Sequence, residues 1–234
     1  MISGLQKMTL LDFPGKVACT VFLQGCNFRC PFCHNSELLT GNPQPVMEVE
    51  EFLKFLKARQ GLLEGVCVSG GEPTMRKELP DFLRRITALG YSIKLDTNGS
   101  HPEVLKALVD AGLVDYVAMD VKSSPEGYPQ ALGLSDAPMD KIVESLRFLM
   151  TDAVDYELRT TLVHPLHNDQ IIQQMGQWLA TLVPHKKPKA LFLQSFVDRD
   201  TVLFSGLSAP ASETVEQYAQ ILTPYVEKVT IRNN

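Results

Sequence analysis

Three cysteines crowd one short run, Cys26-Asn-Phe-Arg-Cys30-Pro-Phe-Cys33. A C-x3-C-x2-C spacing on a single loop suits three thiolates that each bind a different iron of a [4Fe–4S] cube, leaving the fourth iron open to chelate a small molecule. A zinc ion held by Cys26, Cys30, Cys33 and His34 is the competing reading of the same residues. Neighbours in sequence such as Cys33 and His34 rarely aim at one ion without strain. The other two cysteines, Cys19 and Cys67, lie inside apolar runs and read as small buried hydrophobes.

Further residues with chemical potential follow later apolar runs. In Ser69-Gly70-Gly71-Glu72-Pro73 the paired glycines let backbone approach a ligand closely, and Glu72 suits an ammonium group. A plain turn is the alternative. Asp96-Thr97-Asn98-Gly99 contains an Asn-Gly pair that could equally be a simple turn. Asp120-Val-Lys122 places a carboxylate and an ammonium where both would be partly desolvated and would need partners. Asp96 and Asp120 together could hold a cation, and Lys122 could pair with a carboxylate. Arg159 sits within Leu-Arg-Thr-Thr-Leu-Val, where its charge either pairs structurally or grips an anion. Gln194-Ser195 closes a later run and could be a strand cap. His164 and His167 read as surface or hydrogen-bonding residues rather than general bases, and no side-chain acid or base is assigned.

The elements that must position these residues are legible in the hydrophobic pattern. Short apolar runs at 17–23, 65–69, 92–95, 114–119, 156–163 and 190–194 have the character of buried parallel strands. Amphipathic stretches at 48–59, 77–89, 102–111, 139–150, 169–182 and 211–222 predict helices, and 228–232 predicts one more strand. Pro80 and Pro102 fall near helix starts, where a missing N–H is harmless. Gly90 and Gly112 fall where helices should stop. Strand–helix alternation repeated about six times implies an α/β fold with a parallel sheet and outer helices. Six units are too few to close an eight-unit barrel, so a partial, laterally open (β/α)6 barrel is expected, with chemistry at the C-terminal strand ends.

Composition narrows the class. The chain has 234 residues, of which 44% are apolar and 21% charged, and a formal net charge of −5. That balance argues against a nucleic-acid backbone as the main partner. No apolar stretch is long enough to span a membrane, and the opening residues show no signal-peptide core. Five cysteines, three of them crowded together, suit a reducing cytoplasm better than a disulfide framework. Residues 1–234 are expected to form one domain, with a core over roughly 15–200 and a helix and strand as a C-terminal extension.

With these motifs assembled, the sequence is similar to the radical S-adenosylmethionine (radical SAM) superfamily. The run Val21-Phe-Leu-Gln-Gly-Cys26-Asn-Phe-Arg-Cys30-Pro-Phe-Cys33-His34-Asn35 resembles the activating enzymes of glycyl radical enzymes. SGGEP, DTNG, MDVK and the Arg159 strand follow in the same order, over roughly residues 5–200. The opening Met8-Thr-Leu-Leu-Asp12-Phe-Pro14-Gly15-Lys16 resembles activating proteins of anaerobic ribonucleoside-triphosphate reductase.

The resemblance implies that Cys26, Cys30 and Cys33 ligate one [4Fe–4S] cluster and that Phe32 packs beside the adenine. It implies that Gly70, Gly71 and Glu72 bind the methionine amino group and that Lys122 and Arg159 bind the carboxylate or ribose region. Cys33, His34, Asn98 and Gln194 complete the cofactor contacts, and Asp96, Thr97 and Asp120 would hold a monovalent cation. Ala118 stands where pyruvate formate-lyase activases present Met at that cation site. The implied reaction is reductive cleavage of S-adenosylmethionine and hydrogen abstraction from a glycine of a partner, with anaerobic ribonucleotide reductase expected and a pyruvate formate-lyase-like enzyme as the alternative. A flavodoxin- or ferredoxin-type protein would supply the electron. Several activases insert a ferredoxin-like domain after the first motif; here Ser36-Glu-Leu-Leu-Thr40 follows directly, so a single cluster is expected. The rival readings are a small-molecule radical SAM enzyme and a non-catalytic zinc or iron–sulfur module.

Overall fold

The computed structural model describes residues 2–39, 45–202 and 204–232. Thr40, at the end of the run that follows the cysteine motif, lies outside them. Two compact units share the chain. The first comprises Met1–Asn27, Glu37–Thr97 and His101–Ala118, the second Phe28–Ser36, Asn98–Ser100 and Met119–Asn234.

In the first unit, β1 (Ile2–Thr9) runs antiparallel to β2 (Ala18–Leu23), and β2 is parallel to β3 (Gly65–Gly70), which is parallel to β4 (Ser92–Thr97). Between the parallel strands come α1 (Val49–Lys57) and α2 (Leu79–Thr87), and α3 (Pro102–Asp110) leads to β5 (Tyr116–Asp120). The helices form for local reasons. α1 opens with Glu50 and Glu51 and closes with Lys54 and Lys57, matching charge to the backbone dipole, and it buries Phe52, Leu53 and Leu56. The backbone N–H of Glu48 donates to Glu51 at 3.2 Å. α2 starts on Leu79-Pro80 and stops before Gly90, whose φ of +86° only glycine adopts without cost.

The second unit holds the end of β5, then α4 (Tyr128–Leu132), α5 (Met139–Leu149), β6 (Asp155–Leu162), α6 (Asp169–Thr181), β7 (Ala190–Ser195), α7 (Ser212–Leu222) and β8 (Lys228–Arg232). Strands β6, β7 and β8 are parallel, with Leu158 opposite Leu191 and Leu191 opposite Val229. Asn168 caps α6 by accepting from the Ile171 N–H at 3.0 Å.

In sheet order the strands run from β1 to β8 in chain order, with β1 and β8 at the edges. Each of β2 to β7 is followed by helix and then strand, which is the expected partial, open (β/α)6 arrangement. The sheet has two strands more than the six repeats. The terminal strand β8 matches the expected strand at 228–232, and β1 is additional to the sequence pattern. β1 reads Ile-Ser-Gly-Leu-Gln-Lys-Met-Thr, buries only its two ends and pairs with register shifts, so it shows no clean alternation. The five-residue α4, which begins at Tyr128-Pro129, was also unpredicted because it is too short to show a period. Strand interiors are mostly apolar and sealed, with Val21, Val66, Ile93, Val117, Leu158 and Leu191 all fully buried, and Lys94 of β4 and Glu157 of β6 are the buried charged exceptions. Cys19 and Cys67 belong to this core, and burial pushes each thiol up to about 12.

Candidate functional site

The cysteine loop leaves β2 through a tightly fitted crossing. The Gly25 N–H donates to Leu38 O at 3.0 Å, the Glu72 N–H to Gly25 O at 2.7 Å, and the Gly71 N–H to Leu23 O at 2.9 Å. The end of β3 is thereby stitched to the residues just before Cys26. There is no room for side chains at this seam. A Cβ on Gly70, whose φ is +122°, would stand 2.2 Å from Leu23 O, and one on Gly71 would stand 2.1 Å from Gly25 O. The paired glycines therefore let two segments of the chain's own backbone pack closely, where the sequence reading expected an approach to a ligand.

Beyond the crossing, Glu72 is almost fully buried, at 1% exposure. Its Oε1 accepts from the Thr74 N–H at 3.0 Å, from the Thr97 hydroxyl at 2.8 Å and from the Thr74 hydroxyl. Asp96 and Thr97 end β4 on opposite faces, as strand alternation requires. Asp96 Oδ1 takes the Lys94 ammonium at 2.5 Å, and Oδ2 accepts from the Ser69 hydroxyl at 3.0 Å.

In the second unit, the Arg29 N–H donates to Leu132 O at 2.9 Å and the Cys33 N–H to Cys30 O at 3.1 Å. Cys30 and Phe32 are buried, while Cys26 and Cys33 are partly exposed. All five cysteines are free thiols. His34 stacks on Phe196, with ring centroids 5.5 Å apart, and its carbonyl accepts from the Thr201 hydroxyl at 2.8 Å. Burial holds the His34 imidazole below its usual range; a hydrogen bond to the Val197 backbone opposes this, and Arg199 and Lys122 add to it. Its Nε2 is buried with no hydrogen-bond partner.

Asp120, the last residue of β5, takes Lys122 Nζ on Oδ2 at 2.8 Å and Arg159 Nε on Oδ1 at 3.0 Å. The Lys122 ammonium also lies 5.8 Å from the centre of the Phe32 ring. Burial lowers the tendency of Lys122 to hold its proton, but Asp120 and the Cys30 and Cys33 sulfurs outweigh it, and the ammonium stays charged well above the ordinary lysine range. Both backbone groups of Lys122 are held. Its N–H donates to the Tyr128 hydroxyl at 3.1 Å, and its carbonyl accepts from His167 Nε2 at 2.9 Å. His167 Nδ1 lies 3.0 Å from the Val163 nitrogen and 3.2 Å from the Val163 carbonyl oxygen, so the ring is held by backbone on both sides.

Several candidates have local structural duties. Arg159 shows the ion-pairing branch of its two readings. Asn98 folds an Asx turn, its Oδ1 accepting from the Ser100 N–H at 3.0 Å and hydroxyl at 2.6 Å, and Gly99 needs its φ of +75° there. Gln194 donates to the Thr161 hydroxyl at 2.8 Å across paired strands β7 and β6. Lys94, His167, Tyr128 and Thr74 were not singled out as site residues from the sequence. Lys94 carried the same signal as Arg159, a cation inside an apolar strand.

Among the described residues no three His, Cys, Asp or Glu side chains converge as the ligands of one metal ion. Cys26, Cys30 and Cys33 are free thiols on one run, Cys26 and Cys33 partly exposed, and a C-x3-C-x2-C run of free thiols fits a cluster that takes each on a separate iron.

The family model for the radical SAM superfamily matches residues 20–179, and the chain belongs to that superfamily. Its members use a [4Fe–4S] cluster and S-adenosylmethionine, and the protein is an enzyme. At 30% identity the chain resembles a protein of Methanocaldococcus jannaschii provisionally named a glycyl-radical enzyme activating enzyme, over 99% of this chain and 95% of that one. It is 26% identical to the pyruvate formate-lyase 1-activating enzyme of Escherichia coli K12, over 97% of each. Among solved structures, TYW1 with a lysine-pyruvate adduct bound superposes with a TM-score of 0.65 at 16% identity, covering 93% of this chain and 76% of that one, which bears on the fold alone.

Proposed function

We propose that this protein is a glycyl-radical enzyme activating enzyme. The observation that carries the reading is end-to-end similarity to two proteins named as activases, one from an archaeon and one from a bacterium. Residues 1–234 act as one radical SAM domain on this view. The partner is a glycyl radical enzyme, anaerobic ribonucleotide reductase by preference from the opening residues 8–16, with a pyruvate formate-lyase-like enzyme as the alternative. The electron donor is a flavodoxin- or ferredoxin-type protein, and the setting is a reducing cytoplasm, in keeping with five free thiols. No described helix is long and apolar enough to cross a membrane, and no nucleic-acid partner is proposed.

When bound, the cluster and S-adenosylmethionine supply the electron and the carbon radical of the reaction. The chain's own residues bind and orient. Cys26, Cys30 and Cys33 hold the cluster, and the Gly70–Gly71 seam fixes the start of their loop. Glu72 offers a buried carboxylate to the amino group of the cofactor. Lys122, its backbone clamped by Tyr128 and His167, presents an ammonium to the cofactor carboxylate, with Arg159 ordering the same group through Asp120. Phe32, His34, Asn98 and Gln194 are assigned to the remaining cofactor contacts. Side chains are not asked to move protons, so a fixed pocket is the requirement.

The test is to mix anaerobically reduced protein and S-adenosylmethionine with purified ribonucleotide reductase from the same organism and record electron paramagnetic resonance. A doublet on the reductase, absent when its C-terminal-region glycine becomes Ala, is the expected result. Cofactor cleavage with a signal only on a formate-lyase-type enzyme would transfer the assignment to that partner. Cleavage with no signal on either protein would favour a small-molecule substrate.

A further inference from the structure

Lys94 lies in the middle of β4, opposite Cys67 in register with β3, and is 1% exposed. An ammonium so deeply buried needs a partner, since removing a charge from water costs far more than any packing of its stem returns. Strand alternation puts Lys94 and Asp96, two positions apart, on one face, and the ammonium contacts Asp96 Oδ1 at 2.5 Å. Asp96 Oδ2 accepts from the Ser69 hydroxyl at 3.0 Å. Both carboxylate oxygens at this strand end are thus engaged by groups of the chain itself.

Each of the three residues expected to ligate a monovalent cation has partners within its own unit. Thr97 points to the face opposite Asp96 and gives its hydroxyl to Glu72 at 2.8 Å. Asp120 is engaged on one oxygen by Lys122 and on the other by Arg159. A metal ion at either aspartate would compete with a fixed, covalently attached cation whose effective concentration is set by the strand and not by the solution.

We infer that the Lys94 ammonium occupies, at Asp96, the position of a monovalent metal cation, so that the protein folds and binds its cofactor without potassium or sodium. The inference rests on the radical SAM reading for its link to cofactor binding, while its link to Asp96 rests on geometry alone. A lysine in this role gives the strand end a permanent charge balance, insensitive to ionic composition.

The experiment compares potassium chloride, sodium chloride and tetramethylammonium chloride at equal ionic strength, the last cation being too large to enter a buried carboxylate site. Anaerobically reconstituted full-length protein is followed by thermal unfolding and by calorimetric titration with S-adenosylmethionine. Wild-type midpoint and affinity should agree in all three salts, to within about twofold in affinity. Lys94→Met keeps the stem and removes the charge, exposing Asp96 to the solution. Its midpoint should rise saturably with potassium or sodium by about 3 °C or more, and its cofactor affinity should be regained only in those salts. A saturable gain of wild-type midpoint or affinity in potassium or sodium overturns the inference, and so does a folded Lys94→Met protein that behaves alike in all three salts. If Lys94→Met does not fold, the wild-type series decides by itself. Wild-type protein that binds no S-adenosylmethionine in any salt would strike at the proposed function, leaving the unfolding series to decide on Lys94.

Discussion

Gly71→Ala is the substitution that tests the seam beneath the cysteine loop. The backbone at Gly71 has no left-handed φ, so the new methyl costs nothing in local conformation and everything through contact. The Cβ would stand 2.1 Å from Gly25 O, 2.6 Å from its carbonyl carbon and 3.2 Å from Cys26 N. A carbon–oxygen contact of about 3.3 Å is the near limit, so the Gly25–Cys26 peptide must retreat by about 1 Å. That retreat pulls on the bond from the Glu72 N–H to Gly25 O, 2.7 Å long in the native protein. Overpacking costs about 1–3 kcal/mol and a weakened backbone hydrogen bond about 1 kcal/mol, for a total of about 2–4 kcal/mol. At roughly 2–4 °C per kcal/mol in a chain of this size, the midpoint should fall by about 5–15 °C. Iron per chain after anaerobic reconstitution should fall as well, because Cys26 moves with the peptide. Gly90→Ala is the control. Nothing lies within 4 Å of its Cβ, but its φ is +86°. It should cost about 1–2 kcal/mol of backbone strain with normal iron. Full iron and an unchanged midpoint in Gly71→Ala would refute the reasoning.

Ala at Cys26, Cys30 or Cys33 should abolish cofactor cleavage and the iron–sulfur absorption band. Ala at Cys19 or Cys67 should keep both, at a cost of about 1–2 kcal/mol in urea denaturation; cleavage retained in Cys30→Ala would sink the cluster assignment. Lys122→Met should weaken S-adenosylmethionine binding about tenfold or more by calorimetry while the cluster spectrum stays intact, and unchanged affinity would place the carboxylate contact elsewhere. Burial holds His167 neutral below its ordinary range. The unfolded chain therefore takes up that proton first, so its contribution is complete above about pH 6.5 and is lost as pH falls below it, with a slope of up to about 1.4 kcal/mol per pH unit. Denaturation curves at pH 7.5 and 5.5 should show that loss, and His167→Gln should flatten it; an unaltered slope would remove His167 from the account.

The strands that carry the motifs were legible because each is a short β-branched or aromatic run closed by a residue that does not belong in a core. Gly70, Asp96 and Asp120 are the last or nearly the last residues of β3, β4 and β5. Cys19 and Cys67 were legible as core for the same reason. β1 was illegible because an edge strand half-exposed along its length has no period to detect. The DTNG motif by itself does not announce the partner that Asp96 has. Lys94, two residues earlier on the same face, is a cation inside an apolar strand and is the sequence signal for that ion pair.

The remaining gap between sequence and site has a physical origin. Spacing along the chain identifies which residues can act, since a strand end and a tight turn are local properties. Orientation is set by side chains far away in sequence. Tyr128 and His167 hold the two backbone groups of Lys122 from a short helix and from the loop after β6. Ser145 of α5 donates to Gly99 O at 2.7 Å and so fixes the turn after β4, although neither residue signals the other. Thr201 holds the His34 carbonyl across more than 160 positions. Each of these bonds joins a neutral side chain to backbone, and those to Lys122 and His34 leave the side chains of these two residues to their own contacts. A pocket required to orient a cofactor, and not to exchange protons with it, gains most from that arrangement, because fixing the backbone beneath a charged side chain removes the conformational entropy it would otherwise lose on binding. The residues that confer this order are ordinary in type and invisible to motif, so a substitution such as Tyr128→Phe should weaken binding without altering any recognised signature.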